Sequence, residues 1–233
     1  MCGGSCLSWQ GRLYPIRSLP IRAVRNLCRN TANAIYRSVL LLPCFRVIRE
    51  TQQSTVPRTL AMYLFQKLLG FNKKAYWPVH FTSKINQPKN IIVGIDTCPG
   101  YEPGCYIQGL GKVFIGDYTA IAQNVGIISA NHIPEDNSQH DQSESVSIGS
   151  YCWIGMNAVI LPGVQLGDFT VVGAGSVVTK SFPDGYCVVA GNPAKLIRRL
   201  NPGECVRKRN LCEYVGYLRA ADFPAFRSRR LWC

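Results

Sequence analysis

Acidic side chains are almost missing from the first ninety residues of this 233-residue chain, which hold 14 Lys or Arg and one acid, Glu50. Long apolar runs are missing too. One candidate, Val39 to Leu42, stops at Pro43, and no run approaches the roughly 18–20 residues that a membrane-spanning helix needs. No apolar core of a signal peptide is evident. Cysteine is plentiful at 11, but the count is odd and no two stand in a CxxC pair. That argues against a disulfide framework or a zinc ribbon and for reduced thiols in a cytoplasmic protein. Only three histidines exist, His80, His132 and His140, and their spacing is poor for the three imidazoles that a metal-dependent hydratase would need. We therefore expect no metal.

Charge is uneven along the chain. Residues 91–200 hold 5 basic and 9 acidic side chains, and residues 201–233 hold 7 basic and 3 acidic. A mildly acidic centre is thus flanked by basic extensions. The arginines are spread out rather than interleaved with aromatics on one face, which argues against nucleic acid as a partner.

What the chain does have is a period of six. From Ile148 to Pro183 it runs IGSYCW, IGMNAV, ILPGVQ, LGDFTV, VGAGSV, VTKSFP. Each block opens on a branched aliphatic residue (Ile148, Ile154, Ile160, Leu166, Val172, Val178), and Gly follows in four of them. Neither a helix at 3.6 nor a strand at 2.0 has this period; a hexapeptide solenoid does. Six residues make one short strand and one corner, and three such sides close a triangular coil. One coil cannot bury its own apolar face, so several must stack, about 4.8 Å apart. Ile115, Ile121 and Ile127 carry the same phase earlier, and a looser version begins near Ile91. Residues 133–147, IPEDNSQHDQSESVS, break the phase and are expected to leave the solenoid as a loop.

The pattern predicts an all-β solenoid with a helical extension before it and a short C-terminal helix and tail. The expected division is a basic extension over 1–90, the solenoid over 91–200 and a basic tail over 201–233. Within the extension, residues 19–42 suit a basic amphipathic helix of the kind that lies on an anionic membrane surface; its acid-free, Arg-rich character also fits a transit peptide. Residues 57–70 suit a second helix, between Pro57 and Gly70. Its apolar face (Leu60, Leu64, Phe65, Leu68, Leu69) is expected to cover the open end of the solenoid. A further helix is expected after Pro193.

His132 ends a regular coil and opens the extruded loop. Imidazole can take a proton at neutral pH. His140 lies eight residues on, within the same loop, where a solvated surface residue is the plainer reading; His80 sits among aromatics on the connector, where a structural role is commoner.

The segments PGCYIQG, IGDYTAIAQNVGIISANH, IGSYCWIGMNAVILPGVQLGDFTVVGAGSVVTKSFPDG and VVAGNPAKLIRRL together resemble the hexapeptide-repeat acyltransferases. The likeness is to the branch of galactoside, maltose and xenobiotic O-acetyltransferases and capsule or lipopolysaccharide O-acetyltransferases. The resemblance covers about residues 91–200. It implies a left-handed parallel β-helix, a homotrimer, and acetyl-CoA in the groove between neighbouring subunits. It also implies transfer of an acyl group to a hydroxyl of a saccharide, such as a surface polysaccharide. His132 matches the general base and the backbone N–H of Met156 the oxyanion donor. Ala174, Thr179 and Lys180 match positions along the cofactor groove, and Lys195 and Arg198 match positions that meet the phosphates of CoA. Ile133 departs from the Asp or Pro that often follows the family's histidine. Glu135, Asp136 and Asp141 are the loop acids available to orient the imidazole. Serine as acceptor, or a non-catalytic scaffold, are the other readings. A basic N-terminal segment would hold such an enzyme peripherally on the inner face of a membrane.

Overall fold

The computed structural model of the chain describes residues 21–140 and 144–231. The chain divides between Leu42 and Pro43 into two compact units. The first contains α1 (Ile21–Leu40), with no acid in its first turn. The second contains α2 (Arg46–Glu50), α3 (Leu60–Lys67), all the strands, and α4 (Phe223–Arg230). The boundary therefore falls well ahead of residue 90. Residues 43–90 join the solenoid because buried groups bind them to it: Trp77 Nε1 donates to the Pro99 carbonyl at 2.8 Å, and Arg58 pairs with Asp96 at 2.8 Å. Among the described residues no helix is long and apolar enough to cross a membrane.

Three parallel sheets form the faces of a left-handed β-helix. The first face stacks Lys84–Asn86, Tyr106–Gln108, Gly126–Ile127, Val159–Ile160 and Val177–Val178; the second stacks Ile91–Val93, Val113–Ile115, Val146–Ile148 and Gln165–Leu166. The third stacks Ala120–Ile121, Trp153–Ile154, Thr170–Val172 and Cys187–Gly191, and ends in Ala194–Arg199. Parallel pairing already begins at Lys84, which pairs with Tyr106. The six aliphatic openers from Ile148 to Val178 are all buried, none more than 3% exposed. They stack in register, Ile154 on Val172 and Ile160 on Val178. Each such side chain contributes about 1.5–3 kcal/mol on burial.

The glycine that follows four of the six openers answers to close packing rather than to turn conformation. A Cβ at Gly149 would lie 2.5 Å from the Asp168 nitrogen, and one at Gly155 would lie 2.7 Å from that of Ala174, both in the next coil. The left-handed turn comes two residues later, at Tyr118 (φ 53°), Asn124 (58°), Tyr151 (58°), Asn157 (58°) and Phe169 (55°). At the corner between the second and third faces the aromatic ones build a ladder. Tyr118, Tyr151, Phe169 and Tyr186 stack with ring centroids 5.3, 5.0 and 5.2 Å apart. The chain beyond residue 200 straps over the ladder rather than trailing from it. Arg207 lies 5.3 Å from the Tyr151 ring centroid and 5.0 Å from that of Phe169, and bonds Asp168 at 3.0 Å.

Two expected helices turn out differently. The segment after Pro193 is a strand, antiparallel to Cys187–Gly191. The last coil would otherwise present a bare row of backbone donors and acceptors, and the hairpin covers that edge. The helix expected from Pro57 starts instead at Thr59, whose side chain accepts from Met62 N–H at 3.2 Å, as an N-cap does. Leu64, Phe65, Leu68 and Leu69, placed by sequence on its packing face, are exposed, while Gln66 is fully buried.

Candidate active site

His132 opens a two-stranded hairpin, His132–Ile133 against Asp136–His140, so the expected loop begins as a hairpin. Its base is fixed by one side chain. Gln108 Oε1 accepts from the N–H groups of Ser129 (3.1 Å) and Ala130 (2.8 Å), all three residues being buried. Ser129 Oγ donates to the Gln108 carbonyl at 2.6 Å, and the Ser129 carbonyl accepts from Glu144 N–H at 2.9 Å where the chain returns. The exposed His132 thus sits two residues from a rigid corner between the first and second faces. Replacing Gln108 with alanine strands two buried donors, and a stability loss of about 1–3 kcal/mol is expected, measurable by chemical denaturation.

The hairpin register sets His140 opposite His132, with ring centroids 4.3 Å apart at 34°. The spacing in sequence gave no sign of this, because the turn at residues 134 and 135 had no recognisable hairpin chemistry. Of the loop acids, Asp136 is committed to its own turn. Its carboxylate accepts from Ser138 Oγ, Ser138 N–H and Gln139 Nε2, and these bonds hold its pKa below the usual range. Glu135 is exposed, and Asp141 lies outside the described residues. His80 bonds Thr82 through Nδ1 at 2.8 Å and stacks on Phe81.

The other sequence-predicted positions gather elsewhere. Met156 stands at the corner between the third and first faces. Its carbonyl accepts from Gly175 N–H at 2.8 Å, and its own N–H makes no hydrogen bond among the described residues. Ala174 lies in the same corner one coil on, exposed. Lys195 and Arg198 are three apart, which in a regular strand would set them on opposite faces. A bulge intervenes: Ala190 pairs with Lys195 and Val188 with Arg198, so both cations stand on the outer side with Val188 and Ala190. That outer row continues through Val171 to Trp153, which is 59% exposed. Trp153 was legible only as part of a motif, and the structure sets its exposed ring on the same row as the two cations. Trp153 and Met156 also border a cavity of about 340 Å³ with Tyr101 and Gln123.

Thr179 and Lys180, both exposed, follow the last strand of the first face and so lie on the same edge as His132. The sequence-predicted positions therefore fall into two groups. His132, Thr179 and Lys180 occupy one edge of the first face, and Met156, Ala174, Trp153, Lys195 and Arg198 occupy the other edge and the face beyond it. A side of about five residues separates them, roughly 15 Å. Among the described residues no three His, Cys, Asp or Glu side chains converge as metal ligands. The buried thiols are poor nucleophiles: burial pushes Cys98 up to about 12 and Cys152 up to about 11.

Residues 145–180 match the family model of the bacterial transferase hexapeptide, six repeats. The chain is similar to the galactoside O-acetyltransferase of Escherichia coli (strain K12), 42% identical over 93 residues, which are 38% of this chain and 45% of that protein. It spans about half the length of the curated relatives it matches. Among solved structures, a maltose O-acetyltransferase from Clostridium difficile 630 shares 28% identity over 68% of this chain and 84% of that one, with a TM-score of 0.49. A galactoside acetyltransferase in complex with coenzyme A shares 31% over 53% and 64%, with a TM-score of 0.44.

Proposed function

We propose that the chain is an acetyltransferase of the hexapeptide-repeat kind, like the galactoside O-acetyltransferase it resembles over 93 residues, and that it moves an acetyl group from acetyl-CoA to a hydroxyl of a saccharide. The observation that carries this reading is the exposed imidazole of His132 on a hairpin whose base is clamped by Gln108. His132 takes the proton of the acceptor hydroxyl as that oxygen attacks the thioester carbonyl, and gives it to the coenzyme sulfur as the C–S bond breaks, which is general acid–base work. The free N–H of Met156 meets the charge that develops on the attacked carbonyl oxygen. Acetyl-CoA supplies the activated acyl group as a thioester. The chain's own residues suit such a ligand. The bulge sets Lys195 and Arg198 side by side for its phosphates, a pairing favoured by charge-assisted bonds. The small side chain of Ala174 leaves the corner open to an extended ligand, and Trp153 offers a ring beside it.

Base and oxyanion donor lie on opposite edges of one chain, so a second copy must complete each site. In this reading three copies around a shared axis set the His132 edge of one against the Met156 edge of the next. Buried thiols and the co-substrate fit a cytoplasmic enzyme. The test is release of free coenzyme A from acetyl-CoA with a panel of sugar acceptors and serine, alongside thermal shift with CoA and mass by light scattering. Sugar-dependent thiol release by a trimer is expected. A monomer, or a protein whose melting temperature ignores CoA, would overturn the reading, and preference for serine would replace the acceptor. Lys195→Ala with Arg198→Ala removes two charge-assisted bonds of about 1.5–3 kcal/mol each. The expected result is CoA binding at least tenfold weaker by calorimetry, with an unchanged melting temperature because both side chains are exposed.

A further inference from the structure

We propose that the outward face of α3, with Phe71 and Phe81 beside it, is a docking surface for an anionic lipid bilayer. The observation is an inverted helix. α3 turns Gln66 inward: its Nε2 donates to the carbonyls of Asn72, Ala75 and Trp77 at 3.2, 3.2 and 2.9 Å, and its Oε1 accepts from Tyr217 Oη at 2.8 Å. The amide satisfies the connector's carbonyls and fixes the rotation of the helix. The cost of that rotation is that Leu64, Phe65, Leu68 and Leu69 point to solvent, with Leu68 76% and Leu69 60% exposed. Phe65, Phe71 and Phe81 join them as one cluster, with ring centroids 5.1 to 6.3 Å apart. Scattered exposed apolar residues need no explanation, but a contiguous patch marks an interaction surface.

Charge decides the occupant. Residues 51–95 carry six Lys or Arg and no acid. Arg58 is buried on Asp96, and the other five cations, Lys73, Lys74 and Lys84 among them, are exposed. The centres of protein interfaces are depleted in lysine, and a contact between two such patches would oppose like charges. Exposed leucine and phenylalanine in a stretch whose exposed charges are all lysine is the composition of surfaces that seat in the headgroup region of anionic membranes. The docking rests on this patch alone and does not depend on the acetyl-transfer reading.

The experiment is flotation of the full-length protein with vesicles of phosphatidylcholine and phosphatidylglycerol, against phosphatidylcholine alone. Flotation with the anionic vesicles only, reduced at high salt, is expected. Leu68→Glu with Leu69→Glu should lower the bound fraction at least tenfold, with melting temperature and particle mass unchanged. Lys73→Glu with Lys74→Glu, also at exposed positions, should do the same and serves where the first variant does not fold. Absence of flotation, or flotation unaltered in the folded variants, would overturn the proposal, the latter by assigning membrane contact to another segment. A fall in particle mass would overturn it by making the patch a contact between copies of the chain.

Discussion

Replacing His132 with alanine is expected to lower kcat for acetyl transfer by about 10²–10⁴-fold, the usual contribution of a positioned general base. Affinity for CoA and melting temperature should stay unchanged. The side chain is exposed, and substitutions at such positions usually shift stability by no more than about 0.5 kcal/mol. What fixes the corner is backbone and Gln108, not the imidazole: the two bonds from Ser129 and Ala130 to Gln108 survive the change. An interaction made only in the transition state lowers kcat and kcat/KM together, so a loss confined to KM would move His132 from base to binding residue. Turnover retained at the wild-type rate, in a variant that still binds CoA, would remove His132 from the chemistry and leave only the architecture.

The sequence announced the coils because their physics is local and periodic. Ile148 through Val178 recur every six residues, and every one faces inward. The aromatic ladder was present as IGDY, IGSY, LGDF and PDGY, but its spacing is irregular because the hairpin insertion parts Tyr118 from Tyr151. His132 was legible as a candidate because it stands where the period fails. Its neighbour His140 was not, since a cross-strand pair depends on a turn the composition does not reveal. Lys195 and Arg198 were legible as a pair of cations and illegible as a geometry: a single bulge brings onto one side two residues that a regular strand would set on opposite sides. α3 was read backwards for a similar reason. Periodicity assigns an apolar stripe to the core, and here three connector carbonyls competing for one amide outweighed it.

Asp96→Ala is expected to cost about 3–5 kcal/mol, because it leaves a buried guanidinium without its counter-charge. Arg58 and Asp96 have side chains 0% and 2% exposed and meet at 2.8 Å. Around them Asp96 accepts from Ser54 Oγ, Thr55 Oγ1 and Asn210 Nδ2, while Arg58 Nε donates to the Gly216 carbonyl at 3.0 Å. One cluster therefore ties residues 54–58, the first coil and the C-terminal strap together. For a unit of about 190 residues, that cost lowers the melting temperature by roughly 10 °C. Removing both partners, as Arg58→Met with Asp96→Ala, should recover part of the loss, since the unpaired charge is the larger penalty. The acid response follows from the same geometry. Burial pushes the Asp96 carboxyl up, but the Ser54 and Arg58 hydrogen bonds and the Arg58 charge outweigh it, and the net shift is downward from 3.8. A carboxylate with a lowered folded pKa contributes stability that is full above its unfolded value, about 3.9, and is lost as pH falls through the folded one. Stability measured by denaturant titration should therefore drop for the wild type below about pH 4, and the Asp96→Ala variant, which has no carboxylate there to protonate, should show a shallower acid limb.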